Sequence, residues 1–408
     1  MYKIKHVTRT RIQQLEKNFS RMFWIKALLN VKIINVILTL FYIHRGLTVS
    51  QIFYLSIVWA ICNLLFEIPS SYMADRWGRK KTMLLGVMFA IVGWILLLFG
   101  HNFFVFVLAI IFSALYFAMF SGTDEALIYD TDKELNIEKT SLKRLSHFSS
   151  AQNIFKIASP LIAVFIAKDL TDAQFLIVIM IDVIATVCSM VLILGLVEAH
   201  HYIDVEKQEA GIILDAFHLI RKNPLLIRGI FGKTVGFIAG FIIWRYHQEY
   251  LVNHIGLSVL YLGIAWSVNH ALIFLSERFI IPHLYHIRRH AIDISNYFFF
   301  IMSLVALYVV LYIKNPIILV VIIMITFFAE RIRWSFYSQF LNEFSNSFNR
   351  ATTISLSNFL KSILDIPLLF VAAVLVHYNI VYPFFFSALL TMITILFFRV
   401  SHKPYASS

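Results

Sequence analysis

Seven ionisable side chains sit where the chain is otherwise apolar: Lys32, Asp182, Lys233, Glu330, Arg333, Lys361 and Asp365. Each ionised group near the centre of a bilayer costs roughly 2.5–3.5 kcal/mol or more unless it meets a partner or a wet cavity. Lys361 with Asp365, and Glu330 with Arg333, are spaced by one helical turn, so each pair can neutralise itself. Such pairs serve as glue between helices as readily as they serve a ligand. Lys32 and Lys233 have no acid one turn away on their own segments. Two unmatched cations favour a carboxylate or phosphate, with Asn30 and Asn35 as hydrogen-bond donors and Arg333 and Lys361 as further substrate-binding candidates. Asp182, Glu330 and Asp365 are the candidates for proton coupling. A buried carboxyl either exchanges a proton or is held ionised by a neighbouring cation, and both readings stay open for these three.

The elements that must position these groups are apolar blocks. Of 408 residues, 60% are hydrophobic and 14% charged, with a mean hydropathy of +0.78. A soluble domain carries about 45–50% apolar and about 25% charged residues. A spanning helix needs about 20 apolar residues, and twelve such stretches are expected: 22–44, 51–72, 83–100, 103–123, 149–167, 173–196, 227–250, 258–277, 292–313, 316–338, 352–376 and 380–399. They fall into two sets of six, 22–197 and 226–400, between a cytoplasmic segment 1–21 and a tail 401–408. Segment 198–225 joins the halves; within it Ile213, Ala216, Phe217 and Ile220 recur at helical spacing, predicting a short amphipathic helix at the inner surface. The net charge of +12 reflects basic loops. With the N-terminus inside, those loops hold Arg76, Arg79, Lys80, Lys81, Lys139, Lys143, Arg288, Arg289 and Arg350, while the outer ones keep few cations. The positive-inside rule therefore places both termini in the cytoplasm. The polar, basic start, without a short apolar run and cleavage site, predicts an uncleaved first helix.

The densest basic turn, Asp75, Arg76, Trp77, Gly78, Arg79, Lys80 and Lys81, joins the second and third expected spans. It resembles the loop motif of the major facilitator superfamily of transporters. Glu67, Ile68 and Pro69, the run Ser121 to Asp130, and Leu341, Asn342, Arg350, Ala351, Thr352 and Ser355 are similar to a bacterial branch of drug or metabolite exporters. Three departures stand out. Ser71 replaces the motif's leading glycine; Ser159 and Pro160 stand without the glycines of the antiporter motif in the fifth helix; and the fourth helix has no buried arginine.

The resemblance implies an all-helical membrane protein of twelve spans in two six-helix halves, working by alternating access, with the first helix of each half lining a central cavity. It also implies a gate. Asp75 would dock on a helix N-terminus near Arg350 to Thr352, where unsatisfied N–H groups carry about half a positive charge. Arg76 and Arg79 would pair with Glu125 and Asp130, with Gly78 and Lys80 completing the gate.

The expected function is proton-coupled secondary transport of a small, polar, anionic metabolite, leaning to export, by a monomer in a bacterial inner membrane. The alternatives are broad drug efflux by proton antiport and uptake of a carboxylate-type iron chelator. No cofactor, enzyme activity or nucleic-acid partner is expected: no phosphate-binding glycine loop follows a strand, and no nucleophile elbow or helical zinc motif is present. His200, His201 and Asp204, and His283, His286 and His290, are read as loop histidines rather than metal ligands. Cys62 and Cys188 both lie in apolar blocks, which predicts neither a disulfide nor a thiolate site.

Overall fold

The computed structural model describes residues 9–137, 141–199, 223–281, 283, 288–313, 315–344 and 350–400, with backbone alone at 68, 142–143, 146, 288–289, 339, 341–344 and 350–358. Every regular element among them is helical. That follows from the solvent, because in hydrocarbon a helix satisfies each backbone N–H and C=O within its own segment. In chain order the helices are α1 (Arg9–Leu28), α2 (Leu38–His44), α3 (Val49–Trp77), α4 (Arg79–Phe99), α5 (Phe103–Phe120), α6 (Thr123–Glu134), α7 (Ser141–Ser150) and α8 (Asn153–Ile166). There follow α9 (Asp172–Leu194), α10 (Pro224–Glu249), α11 (Val259–Leu275), α12 (Arg288–Tyr308), α13 (Pro316–Phe344), α14 (Arg350–Tyr378) and α15 (Tyr382–Phe397).

Among the described residues, nine helical runs are long and apolar enough to cross a membrane, and a tenth counts if Arg9–Val36 and Leu38–His44, bent by 51°, form one span. The other two expected spans are present as helices that fall short. Glu330, Arg331 and Arg333 crowd α13, and α15 has only 16 residues.

Three expectations change. Helix α1 starts at Arg9, ahead of the start expected at 22, and the span expected over 22–44 breaks after Leu28. Lys32 takes a left-handed φ of 38° at that break, and a single 3-10 turn follows at Ile33–Val36. Asp75 and Arg76 belong to the last turn of α3 rather than to a loop, so Gly78 alone separates α3 from α4. Its φ of 98° is open to glycine and strained for other residues. The amphipathic helix expected near 212–222 and the tail lie outside the described residues.

The chain divides into two compact units. The first is Met1–Val36 with Ile61–Asp204; the second is Ile37–Ala60 with Val205–Ser408. Residues 37–60 pack within the second unit. There the Thr39 hydroxyl donates to the Arg245 carbonyl at 2.9 Å, the Thr39 N–H donates to Gln248 Oε1 at 2.9 Å, and the Ser50 hydroxyl donates to the Ala373 carbonyl at 2.9 Å.

In the first unit α4 lies against α5 through Gly86 and Gly93. A Cβ at Gly86 would stand 2.9 Å from Met119 Cβ, and one at Gly93 would stand 3.0 Å from Ser113 Oγ. In the second unit the same device runs the length of α10. Gly229 faces Phe340, Gly232 faces Tyr337, Gly236 faces Arg333 and Gly240 faces Glu330, and a Cβ at any of the four would overlap its partner. Lipid tails are as apolar as the helices, so close backbone approach through small residues carries much of the packing. Here the ladder also brings two charged side chains of α13 against the α10 backbone. Overpacking a core costs typically about 1–3 kcal/mol. Gly236→Leu should therefore lower the melting temperature of the detergent-purified protein clearly, whereas Phe165→Leu, at an exposed position, should leave it nearly unchanged.

Candidate functional site

Arg333 is fully buried and anchors the second unit's polar cluster. Its Nη1 donates to the Gly232 carbonyl at 2.9 Å and its Nη2 to the Lys233 carbonyl at 3.1 Å, across the gap that Gly236 leaves open. Nη2 lies 3.8 Å from Glu330 Oε1, a long contact, and Glu330 Oε1 has no hydrogen-bond partner among the described residues. Lys361 and Asp365 on α14 pair at 2.6 Å, leaving Asp365 Oδ1 unpartnered among the described residues. Lys233 is 9% exposed and has no carboxylate within 4 Å among the described residues. Its ammonium stands 4.0 Å from the Trp334 ring centroid instead, and that of Lys361 stands 4.4 Å from the Phe237 ring centroid. Lys233 also lies in the electrostatic field of Arg333, Lys361 and Glu330. The cluster therefore gathers three cations and two acids, and Lys233 is its cation without an acid.

The first unit treats its buried acid differently. Asp182 is 2% exposed; its Oδ1 accepts the Ile33 N–H at 2.8 Å and its Oδ2 accepts the Ile34 N–H at 3.1 Å. Those donors are freed by the break at Lys32, so Asp182 caps the 3-10 turn that follows. The Ser159 hydroxyl donates to the Val31 carbonyl at 2.6 Å from the other side of the break. Lys32 is half-buried and lies in the field of Asp182, with no ion pair within 4 Å among the described residues. Asn30 donates to the Lys26 carbonyl of its own helix at 2.7 Å, and Asn35 is exposed.

At the motif, Arg79 pairs with Asp130 at 2.6 Å, while Arg76 donates to the Tyr72 hydroxyl rather than to an acid. Glu125 has no cation within 4 Å among the described residues; Lys26 takes its neighbour Asp124, at 2.7 Å. Lys80 Nζ donates to the Leu194 carbonyl at 2.8 Å. The side chains of 350–352, on which Asp75 was expected to dock, lie outside the described residues, as do His200, His201, Asp204 and His286. Among the described residues no cluster of His, Cys, Asp or Glu could hold a metal ion.

Several residues that sequence reasoning passed over carry this geometry. Glu198 Oε1 accepts the Arg79 N–H at 2.8 Å and Oε2 accepts the Lys80 N–H at 2.9 Å, so a carboxylate 118 positions away caps α4. Helix α6 holds four cations on four acids: besides Asp124 and Asp130, Asp132 meets Arg144 at 3.4 Å and Glu134 meets Arg11 at 2.5 Å. The signal was present as Thr123 to Glu134, a helix too acidic for hydrocarbon, yet apart from Asp130 only the fold names the partners. In the second unit His247 is fully buried, with Nδ1 2.7 Å from the Trp244 carbonyl and Nε2 accepting the Trp266 indole N–H at 3.0 Å. An indole only donates, so this arrangement holds a neutral imidazole protonated at Nδ1.

A family model described as Major Facilitator Superfamily matches residues 27–366. The chain belongs to that superfamily. It is a multi-pass membrane transporter rather than an enzyme, and its substrate is a small molecule. Solved structures share the fold at low identity. A point mutant of the nucleoside transporter NupG aligns with a TM-score of 0.76 at 14% identity over 95% of this chain and 100% of that one. A bacterial homologue of the human lysosomal transporter Spinster, inward-facing and unoccupied, aligns at 0.69 with 13% identity over 95% and 96%. An auto-inhibited POT family peptide transporter aligns at 0.71 with 12% identity over 93% and 95%. No curated protein sequence matches the chain significantly.

For this transporter the Arg79–Asp130 pair has a measurable signature. Removing one member of a fully buried pair leaves the other uncompensated at a cost of about 3–5 kcal/mol, and a partly buried pair such as this one costs less. Asp130→Asn should therefore lower the melting temperature markedly, and much less in an Arg79→Gln background, as a double-mutant cycle reads directly.

Proposed function

We propose that this superfamily member is a secondary transporter of a small organic anion, spanning a bacterial cytoplasmic membrane twelve times with both termini inside. The observation that carries the reading is Lys233, buried in a low-dielectric unit with no carboxylate within 4 Å among the described residues. An ammonium so placed is stabilised by a bound negative charge, because removal from water has left it without a counter-ion. Arg333 is tied to backbone carbonyls and Lys361 to Asp365, so they hold the shape and field of the site while Lys233 meets the ligand. A broad exporter of lipophilic cations would require the opposite surplus of charge.

Proton coupling is assigned to Glu330 and Asp365, each of which has one buried oxygen without a hydrogen-bond partner among the described residues. Asp182 serves less well, since both of its oxygens accept backbone N–H groups. Transport by alternating access, export as the direction, a gating role for the Asp75 to Lys81 motif and a monomeric state complete the proposal. They rest on the superfamily and on the resemblance of Glu67 to Pro69 and Ser121 to Asp130 to exporters.

The test is a thermal-shift series on the purified protein with carboxylates and phosphates. A ligand at about 100 times its Kd stabilises the native state by about 2.7 kcal/mol, so anions should raise the melting temperature of the wild type and not of Lys233→Gln. In proteoliposomes holding a pH-sensitive dye, anion flux should carry protons in the wild type, while Glu330→Gln should exchange anions without moving protons. Stabilisation by lipophilic cations alone, unchanged in Lys233→Gln, would overturn the reading.

A further inference from the structure

From Gly232 to Gln248 every residue of α10 is buried except Phe237, Phe241 and Trp244, which are half-buried. Their spacing of four and then three residues puts them in one file on one face. Successive rings stack, Phe237 on Phe241 at 5.8 Å and Phe241 on Trp244 at 5.4 Å between centroids. Trp334 of α13 adds a fourth ring, 5.2 Å from Phe237. The Lys233 and Lys361 ammonium groups sit over the Trp334 and Phe237 rings at one end of this file.

Lipid does not account for the file. The apolar window of α10 is 72% buried, against 28–39% in the other spans, so α10 is the enclosed helix of the set. A lipid-facing surface is a broad apolar face, whereas this is a single row of rings that ends at two ammonium groups. Charge against lipid is costly, so that end of the row must open to something polar. Charge also sets the valence of the occupant. Lys233, Arg333 and Lys361 stand against Glu330 and Asp365, which leaves a surplus of one positive charge when both acids are ionised.

We infer that the substrate is a monoanionic aromatic acid: its carboxylate is held by Lys233 beside Lys361, and its ring lies along Phe237, Phe241 and Trp244. This deepens the organic-anion reading and rests on it. A planar ring gains offset stacking on the file, and its carboxylate meets the cation that the protein leaves without an acid. A neutral ring gains the stacking without the charge, and an aliphatic acid gains the charge and burial of its chain without the stacking.

The test measures melting temperature and Kd for the full-length protein in detergent with four matched probes: indole-3-acetate, hexanoate, indole-3-acetamide and tryptamine. Aromatic contacts contribute about 0.5–1.5 kcal/mol beyond burial, so indole-3-acetate should bind about twofold to twelvefold tighter than hexanoate. Phe241→Leu, at a half-buried position, should weaken indole-3-acetate more than hexanoate and so shrink that advantage; Lys233→Gln should abolish binding of both acids. Equal binding of both acids would overturn the aromatic inference while sustaining the anion reading. Binding of the amide or the amine without the acids, or no binding of either acid to folded wild type, would overturn both.

Discussion

Charge taken out of water must be met inside the protein, and in this chain that requirement decides where helices break, where glycine is needed and which lysine is left over. The first unit uses its acids as caps. Asp182 spends both oxygens on the N–H groups of a broken helix, and Glu198 spends both on the first N–H groups of α4. Arg333 spends two of its nitrogens on carbonyls of α10. The two carboxylates answer N–H groups that a helix start leaves without an intrahelical partner, whereas Arg333 adds a second donor to carbonyls inside α10. The glycine ladder of α10 belongs to the same logic. A methyl group at Gly236 would overlap the Arg333 guanidinium carbon, so without glycine the guanidinium could not reach the backbone it bonds to.

The helices were legible because hydropathy is a local signal. So were the pairs Lys361 with Asp365 and Glu330 with Arg333, since one turn of helix separates their members. Arg79 with Asp130 was legible only through the resemblance of the motif, and it came with two pairings not seen among the described residues: a cation for Glu125 and an acid for Arg76. What stayed hidden depends on distant chain. The break at Lys32 sits inside an apolar run with no glycine or proline to mark it; it is sustained by Asp182 and Ser159, 149 and 128 positions on. Ser159 is one of the departures from the fifth-helix glycine pattern, and its hydroxyl bonds a carbonyl at that break. The two irregularities, read separately in sequence, are one local structure.

Under the proposed proton coupling, these commitments narrow the groups that can work as carriers. A proton shuttle must lose its proton and regain it without dismantling the fold around it. Protonating Asp182 would weaken the cap on Ile33 and Ile34, and protonating His247 at Nε2 would expel the Trp266 indole, which has no acceptor of its own to offer. Both groups are therefore more valuable as fixtures than as carriers. Glu330 and Asp365 each retain a buried oxygen without a partner among the described residues, where a proton can arrive without breaking a bond that holds a helix. Lys233 is the complementary case among cations: backbone carbonyls engage Arg333 and a carboxylate engages Lys361, whereas a ring face engages Lys233. A ring face attracts an ammonium more weakly than a carboxylate does, at roughly 0.5–2 kcal/mol, so an incoming anion can draw Lys233 toward itself at small loss. The group held least firmly is thus the one placed to exchange partners, and exchange of partners is what a carrier does at each turn of its cycle.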